Sequence, residues 1–186
     1  MKLVLLDRDG VLNEDREDFV KTPEELLLLP GVAEGISRLN ENNIQVALVT
    51  NQSAIGRGII SEDDLQRIHQ KLITLLAKNG ARLDKIIFCA DHPDHATNRR
   101  KPGGGMLSEA MVYFGSEPNR TIMIGDSLTD LQAAHQVNCH RMLVMTGKGR
   151  KTFESGIPTG LNPVNICTTL PEGVGNILAG RLKMKG

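Results

Sequence analysis

Short apolar runs alternate with longer amphipathic stretches along this chain. Leu3 to Leu6 is a compact apolar run that Asp7 stops, which predicts a buried strand. Val46 to Val49 repeats the pattern and ends at Thr50-Asn51. Ile86 to Ala90, Thr121 to Ile124 and Arg141 to Met145 predict three more strands, and Val164 to Thr168 a short sixth. Between them, residues 31–43 carry Val32, Ile36 and Leu39 on one helical face after Pro30-Gly31. The clearest helix is predicted over 61–79. Ser61 and Asp64 form an N-cap of the capping-box kind, and Leu65, Ile68, Leu72, Leu75 and Leu76 make the apolar stripe; Asn79-Gly80 supplies the stop. Further helices are predicted over 104–114, 127–137 and 171–182. Strands alternating with helices imply an α/β fold with a mostly parallel sheet. Residues 10–30 and 91–103 are the weakest for regular structure, and both follow a strand directly.

Ligands of such sheets bind at the carboxyl ends of the strands. Here those ends read Asp7-Arg8-Asp9-Gly10, Thr50-Asn51-Gln52-Ser53 and Gly125-Asp126-Ser127, with Lys101 beyond the third strand. Polar residues also end strands simply because loops are wet, but this set would bring three carboxylates and a lysine to one edge. In extended chain Asp7 and Asp9 point the same way and Arg8 points elsewhere. Like charges held close need compensation, which a hard divalent cation with oxygen ligands supplies. Mg²⁺ fits best, because it takes one or two carboxylates plus a substrate phosphate and keeps its waters. One carboxylate could serve as nucleophile toward phosphorus, and its neighbour two residues on as general acid and then base. Lys101 would balance phosphoryl charge, and Thr50 with nearby N–H groups would hold phosphate oxygens.

Composition narrows the partners. Twenty-two basic residues balance 22 acidic ones in 186, and there is no Trp and one Tyr. A neutral chain poor in aromatics argues against nucleic acid or an acidic membrane surface as partner. The three cysteines, Cys89, Cys139 and Cys167, form no paired motif, which implies a reducing compartment. The N-terminal apolar run is too short for a signal peptide or a bilayer span, so a cytoplasmic protein is expected. His69 is expected at a helix border, His135 and His140 as structural, and Cys139 and Cys167 as small core residues.

Leu6-Asp7-Arg8-Asp9-Gly10-Val11, the strand ending in Thr50, Lys101, and Gly125-Asp126-Ser127-Leu128-Thr129-Asp130 resemble, in order, the four motifs of the haloacid dehalogenase superfamily. The resemblance implies a Rossmann-like, doubly wound domain, Asp7 as nucleophile and Asp9 as acid/base. It also implies Mg²⁺ held by the Asp7 carboxylate, the Asp9 main-chain carbonyl and Asp126. Residues 7–13, Thr50 to Ser53 with Gly56-Arg57-Gly58, and Arg100-Lys101-Pro102 are similar to the D,D-heptose 1,7-bisphosphate 7-phosphatases, with histidinol-phosphate phosphatases as close relatives. By that likeness Thr50, Asn51, Gln52 and Ser53 line the phosphate pocket. Arg57, Arg100 and Lys101 join the substrate-binding set, and Asp15, Arg16 and Phe19 fall where the first loop touches sugar.

Two departures stand out. Family members often hold a structural zinc with Cys-x-His and Cys-x-Cys, whereas this chain has Cys89-Ala90-Asp91-His92-Pro93 and then Thr97-Asn98-Arg99-Arg100. Four ligands are the norm, so the expected reading is a shortened, metal-free loop over 91–100. Ser127 stands where the heptose enzymes often carry lysine. The loops after the first and third strands span about twenty and about ten residues, too few for a cap domain. A single capless domain over 1–186 is therefore expected, monomeric or weakly oligomeric. Its open site favours a substrate with a second phosphate as grip. The basic stretch Gly147 to Lys151 is expected as a solvated loop, although Lys148 lies near enough to reach a second phosphate. The expectation is an Mg²⁺-dependent phosphatase acting on a small phosphorylated metabolite, a heptose bisphosphate first, with histidinol phosphate or another sugar phosphate as the alternative. A non-catalytic phospho-ligand binder would have no need of Asp9.

Overall fold

A computed structural model describes residues 1–183. Six strands form one parallel sheet: β1 (Leu3–Leu6), β2 (Gln45–Asn51), β3 (Lys85–Cys89), β4 (Thr121–Gly125), β5 (His140–Val144) and β6 (Asn165–Cys167). The helices are α1 (Val32–Glu41), α2 (Ser53–Gly56), α3 (Glu62–Ala77), α4 (Gly105–Phe114), α5 (Leu128–Gln136), α6 (Gly149–Glu154) and α7 (Leu170–Leu178). The strand order is β3-β2-β1-β4-β5-β6. This is the doubly wound arrangement, in which the order reverses between β1 and β4 and opens a crevice at their carboxyl ends. Asp7 follows β1 and Asp126 follows β4, so the two sit on either side of that switch point.

Alternation along β1 explains the layering. Val4 and Leu6 face one core with Ile36 and Leu39 of α1, Ile68 and Leu72 of α3, and Val174 and Ile177 of α7. Leu3 and Leu5 face the other, with Met106 and Leu107 of α4 and Ala133 and Ala134 of α5. A strand buried on both faces must be apolar throughout, which is why it reads as a continuous run.

The helix over 61–79 starts as its sequence predicts: Ser61 accepts from the Asp64 N–H, and Asp64 accepts from the Ser61 N–H at 2.9 Å. Two helices have no counterpart in the sequence pattern. Four-residue α2 begins directly at the end of β2 and is too short to show a stripe. In α6 the one large apolar residue, Phe153, is exposed, so no periodicity marks it. Gly147 to Lys151, expected as a solvated loop, therefore leads into a helix. Lys148 starts it, and the Gly149 N–H bonds to the Thr146 carbonyl at 2.8 Å. The segments after β1 and β3 contain only single turns of 3₁₀ helix, Pro23–Glu25 and Pro93–His95, and no cap. No helix among the described residues is long and apolar enough to cross a membrane.

Candidate active site

The fold delivers Asp7 to the crevice with its orientation fixed. Its N–H continues the β1–β4 ladder to the Ile124 carbonyl at 3.0 Å. Its Oδ1 accepts the Arg8 N–H at 2.7 Å and lies 3.0 Å from Lys101 Nζ. Those contacts occupy one oxygen and leave Oδ2 toward the cleft. Burial pushes the Asp7 carboxyl up to about 6; Lys101 opposes this, and Asp130 and Asp9 reinforce it.

Lys101 is buried, and its ammonium has three partners. Its Nζ lies 2.6 Å from Asp130 Oδ1 and 3.0 Å from Asp7 Oδ1, and it donates to the Val49 carbonyl at 2.9 Å. The Val49 contact is a hydrogen bond, and the two carboxylates are the ammonium's ion-pair partners. Burial alone would lower the lysine, but Asp130 and then Asp7 outweigh it and raise it above its ordinary value. The Lys101 main chain is clamped too: Asn51 accepts from its N–H at 3.0 Å and donates to its carbonyl at 2.9 Å.

Asp7, Asp126 and Asp130 each bring a carboxylate oxygen within 4.8 Å of the others. Asp130 is fully committed, however. Its Oδ1 faces Lys101, and its Oδ2 accepts from the Ser127 N–H at 3.0 Å and Oγ at 2.5 Å. Asp7 and Asp126 are the members left open. Asp126 is nearly buried, and its Oδ2 accepts the Lys148 N–H at 2.7 Å. Burial, then Asp7 and Asp130, drive its carboxyl up to about 8, with the Lys148 N–H opposing. Two such carboxylates repel each other, and an all-oxygen donor set of this kind suits a hard divalent cation.

Asp9 lies beside them in a different environment. Its Oδ1 accepts from Asn13 Nδ2 at 2.9 Å and from Arg8 Nη2 and Nε at 3.1 and 3.3 Å. Its Oδ2 accepts from Gln52 Nε2 at 3.0 Å. Burial pushes this carboxyl up, but Arg8, Asn13 and Gln52 prevail and hold it below the ordinary value. With its carboxylate so engaged, what Asp9 can offer a cation is its main-chain carbonyl. Arg8 does not point elsewhere, as strand alternation predicts; the strand has ended at Leu6, and the guanidinium folds back onto its neighbour.

A cleft of about 570 Å³ opens over this cluster. Asp7, Asp9, Asn51, Gln52, Ser53, Arg100, Lys101 and Asp126 line it, together with Asp15, Arg16, Phe19 and Lys148. An adjoining groove of about 860 Å³ between the first loop and α6 shares Asp15 and Lys148 but contains none of the buried carboxylates.

A family model described as HAD-hydrolase-like matches residues 98–172. The D-glycero-β-D-manno-heptose-1,7-bisphosphate 7-phosphatase of Bordetella bronchiseptica is 43% identical over 161 residues, 86% of this chain and 90% of that protein. The enzyme of the same name from Pseudomonas aeruginosa is 39% identical over 158 residues, 85% of this chain and 89% of that protein. Among solved structures, the D,D-heptose 1,7-bisphosphate phosphatase from B. bronchiseptica complexed with magnesium and phosphate superimposes with a TM-score of 0.91. It is 40% identical, across 97% of this chain and 99% of that one. This chain belongs to the haloacid dehalogenase-like phosphatases of the heptose-bisphosphate group.

Of the residues singled out in the sequence of this phosphatase, two do not face the cleft. Thr50 is buried, and its hydroxyl accepts from Gln52 Nε2 at 2.9 Å, so it braces the pocket from behind. Arg57 caps the short α2 and lies outside the lining. Asn51 faces the cleft with its amide turned to the Lys101 main chain. Arg100 donates to the Asp91 carbonyl at 3.2 Å. The shortened loop closes on itself, with Asp91 accepting from the Thr97 N–H and hydroxyl, both at 2.7 Å. Cys89 is a buried free thiol beneath it.

Asp130 stands in the fourth motif, but sequence reasoning assigned it no role of its own. An acid three residues past Ser127 reads as a capping-box partner, which it is, and the same carboxylate also anchors Lys101. Lys148, in the stretch expected as a solvated loop but near enough to reach a second phosphate, is exposed; its Nζ lies 3.2 Å from Asp15 across the cleft mouth, and its N–H holds Asp126. His69 is not at a helix border: it is buried edge-on to Phe88, and burial drives it down to about 4.

Proposed function

We propose that this phosphatase hydrolyses the 7-phosphate of D-glycero-β-D-manno-heptose 1,7-bisphosphate with Mg²⁺ as its metal. Curated relatives at 39–43% identity carry that substrate and anomer in their names. The observation that carries the chemistry is the contrast between two carboxylates in one cleft. Asp7 has one oxygen pinned by Lys101 and the Arg8 N–H and the other open, whereas Asp9, two residues on, is held by three donor side chains.

Asp7 Oδ2 attacks phosphorus to form an aspartyl-phosphate, and Asp9 protonates the departing alcohol, then takes a proton from the water that cleaves the intermediate. Asp7, Asp126 and the Asp9 main-chain carbonyl would hold the Mg²⁺. Bound there, the ion neutralises phosphoryl charge and polarises the phosphoryl oxygens. Lys101 keeps Asp7 aimed and adds positive charge beside the reacting group. Arg100 and Lys148, at the cleft edge, are placed to meet the second phosphate. With no cap to enclose the site, affinity must come from such groups on the substrate itself.

The test is phosphate release with and without Mg²⁺ from both anomers of heptose 1,7-bisphosphate, histidinol phosphate, fructose 1,6-bisphosphate and an aryl phosphate. A preference of about a hundredfold for the β-anomer, about 2.7 kcal/mol in the transition state, is the expected result. Equal activity across the panel would overturn the substrate assignment and leave the phosphatase chemistry standing.

A further inference from the structure

Arg8 has no task in the chemistry described above, yet it is among the most deeply buried charged side chains in the protein, at 1% exposure. A buried guanidinium is stabilised only by a well-placed partner. Its partner is Asp9. Nη2 lies 3.1 Å from both carboxylate oxygens, and Nε adds a longer contact to Oδ1. Asn13 and Gln52 complete the cradle, and each is held at a second point. Asn13 Nδ2 also donates to the Glu14 carbonyl at 2.8 Å, and Gln52 Nε2 to the Thr50 hydroxyl at 2.9 Å. The loop carrying Arg8 is equally tight, because the Arg8 carbonyl accepts the N–H groups of Val11, Leu12 and Asn13. The two Asp9 oxygens are therefore unequal. Oδ1 takes Asn13 and both Arg8 nitrogens, whereas Oδ2 takes Gln52 and shares only Nη2.

We propose that Arg8 is a positioning residue for the leaving-group proton transfer: with Asn13 and Gln52 it fixes Asp9 so that Oδ2, the less engaged oxygen, hands the proton over. This rests on the phosphatase reading above. As the bond from Asp7 Oδ2 to phosphorus forms, the phosphorus–oxygen bond to the sugar breaks, and its electron pair goes to the sugar oxygen. That oxygen takes a proton from Asp9 Oδ2; Asp9, an ionised carboxylate in the free protein, takes up that proton from solvent when substrate binds. The cradle holds the carboxylate alike before the proton arrives and after it leaves, so what it contributes to the transfer is the direction in which Oδ2 points. In the second half-reaction the same oxygen receives a proton from water. Arg8 borders the cleft, but at 1% exposure and bound to Asp9 it acts through that carboxylate.

Leaving-group dependence separates this role from a structural one. A sugar alkoxide needs a proton as it departs, and a 4-nitrophenolate hardly does. The quantity to compare is kcat/KM, which covers the steps up to formation of the aspartyl-phosphate, for the heptose bisphosphate and for 4-nitrophenyl phosphate. In Arg8→Met it is expected to fall about 30-fold or more for the sugar and less than about threefold for the aryl ester, a part of the roughly 10²–10⁴-fold that a full general acid contributes. Arg8→Lys, which keeps the charge without the fork, should recover part of the sugar-specific loss. Asn13→Leu, which removes another donor of the cradle from outside the cleft lining, carries the same comparison if Arg8→Met does not fold. Equal losses on both substrates, or none on either, overturn the inference while wild-type activity stands. A wild type inert toward both overturns the phosphatase reading and this inference with it.

Discussion

Asp130→Asn tests whether the buried acid behind Lys101 is a structural anchor, because the change keeps volume and removes one charge. The asparagine must choose. If its oxygen faces Lys101, its NH₂ meets the Ser127 N–H; if the oxygen faces Ser127, the NH₂ meets an ammonium. Two Coulomb contributions then compete. At an effective dielectric near 20, the Lys101–Asp130 contact at 2.6 Å is worth about 6 kcal/mol. Asp7, with an oxygen within 4.8 Å of Asp130, repels it by at least about 3.5 kcal/mol by the same rule. Asp126, raised to about 8, is mostly protonated at pH 7 and adds little. The pair wins by at most about 3 kcal/mol, in line with the usual loss on cutting one partner from a buried ion pair. For a chain of this size that corresponds to a fall in melting temperature of about 6–12 °C.

Thermal and urea melts in chelator at pH 7 make the measurement. Repeating them at pH 5 adds a signature: Asp7, raised to about 6, is then largely protonated, its repulsion of Asp130 is gone, and the substitution should cost more than at pH 7. In a Lys101→Met background Asp130→Asn should cost less than in the wild type, because the ion pair it breaks is already gone. A loss under about 1 kcal/mol in the single variant would refute the reasoning. It would mean that Asp7 and the Val49 carbonyl satisfy Lys101 unaided.

Two other substitutions probe the surroundings of the site. Gly147→Ala places a Cβ 2.2 Å from Asp126 Oδ2 and 2.5 Å from the Gly10 Cα, at a φ of +53° that already disfavours a side chain. It should displace the Asp126 carboxylate and lower kcat/KM at limiting Mg²⁺ by about tenfold or more, a loss of about 1.4 kcal/mol, with partial recovery at high Mg²⁺. His69 is kept neutral in the fold by burial and by Arg8, with Asp9 opposing, at about 4 against the ordinary 6.5. Between those values the unfolded chain binds the extra proton, so stability is complete above pH 6.5 and falls by about 3 kcal/mol as pH drops to 4. His69→Phe, which preserves the ring against Phe88, should flatten that acid limb in urea melts while matching wild type at pH 7.5.

The difference between what could be read from the sequence and what could not has a physical basis. Strands buried on both faces are unbroken apolar runs, so their ends are sharp, and Asp7, Thr50 and Asp126 mark them. Ser61 and Asp64 form the cap their spacing implies because a capping box is local. Non-local pairing is what sequence spacing does not carry. Asp130 looks like a cap residue until β1 and the loop after β3 bring Lys101 against it. Arg8 follows strand alternation only as long as the strand lasts. Lys148 and α6 were hidden because a helix of six residues with one exposed aromatic has no stripe to betray it. Thr50 and Asn51 belong to the site as the motif suggests, but their polar groups hold Gln52 and the Lys101 main chain in place.

The charges of the site explain why its parts are arranged this way. Four carboxylates, Asp7, Asp9, Asp126 and Asp130, meet at the switch point with two buried cations, Arg8 and Lys101. Each cation is assigned: Arg8 to Asp9, and Lys101 chiefly to Asp130 with Asp7 as its second partner. Asp126 has only the Lys148 N–H, and it is the carboxyl that burial and its neighbours push furthest up, to about 8. With all four ionised, two negative charges lack a cation of their own, the charge a divalent ion carries; without the ion, Asp126 takes up a proton instead. Those two charges lie on the two strand ends where the chain order reverses. A phosphatase that must bring a phosphate dianion up to an aspartate nucleophile cannot leave that deficit open. The proposed Mg²⁺ closes it, and because the protein's own cations are already bound to Asp9 and Asp130, neither can substitute for the metal.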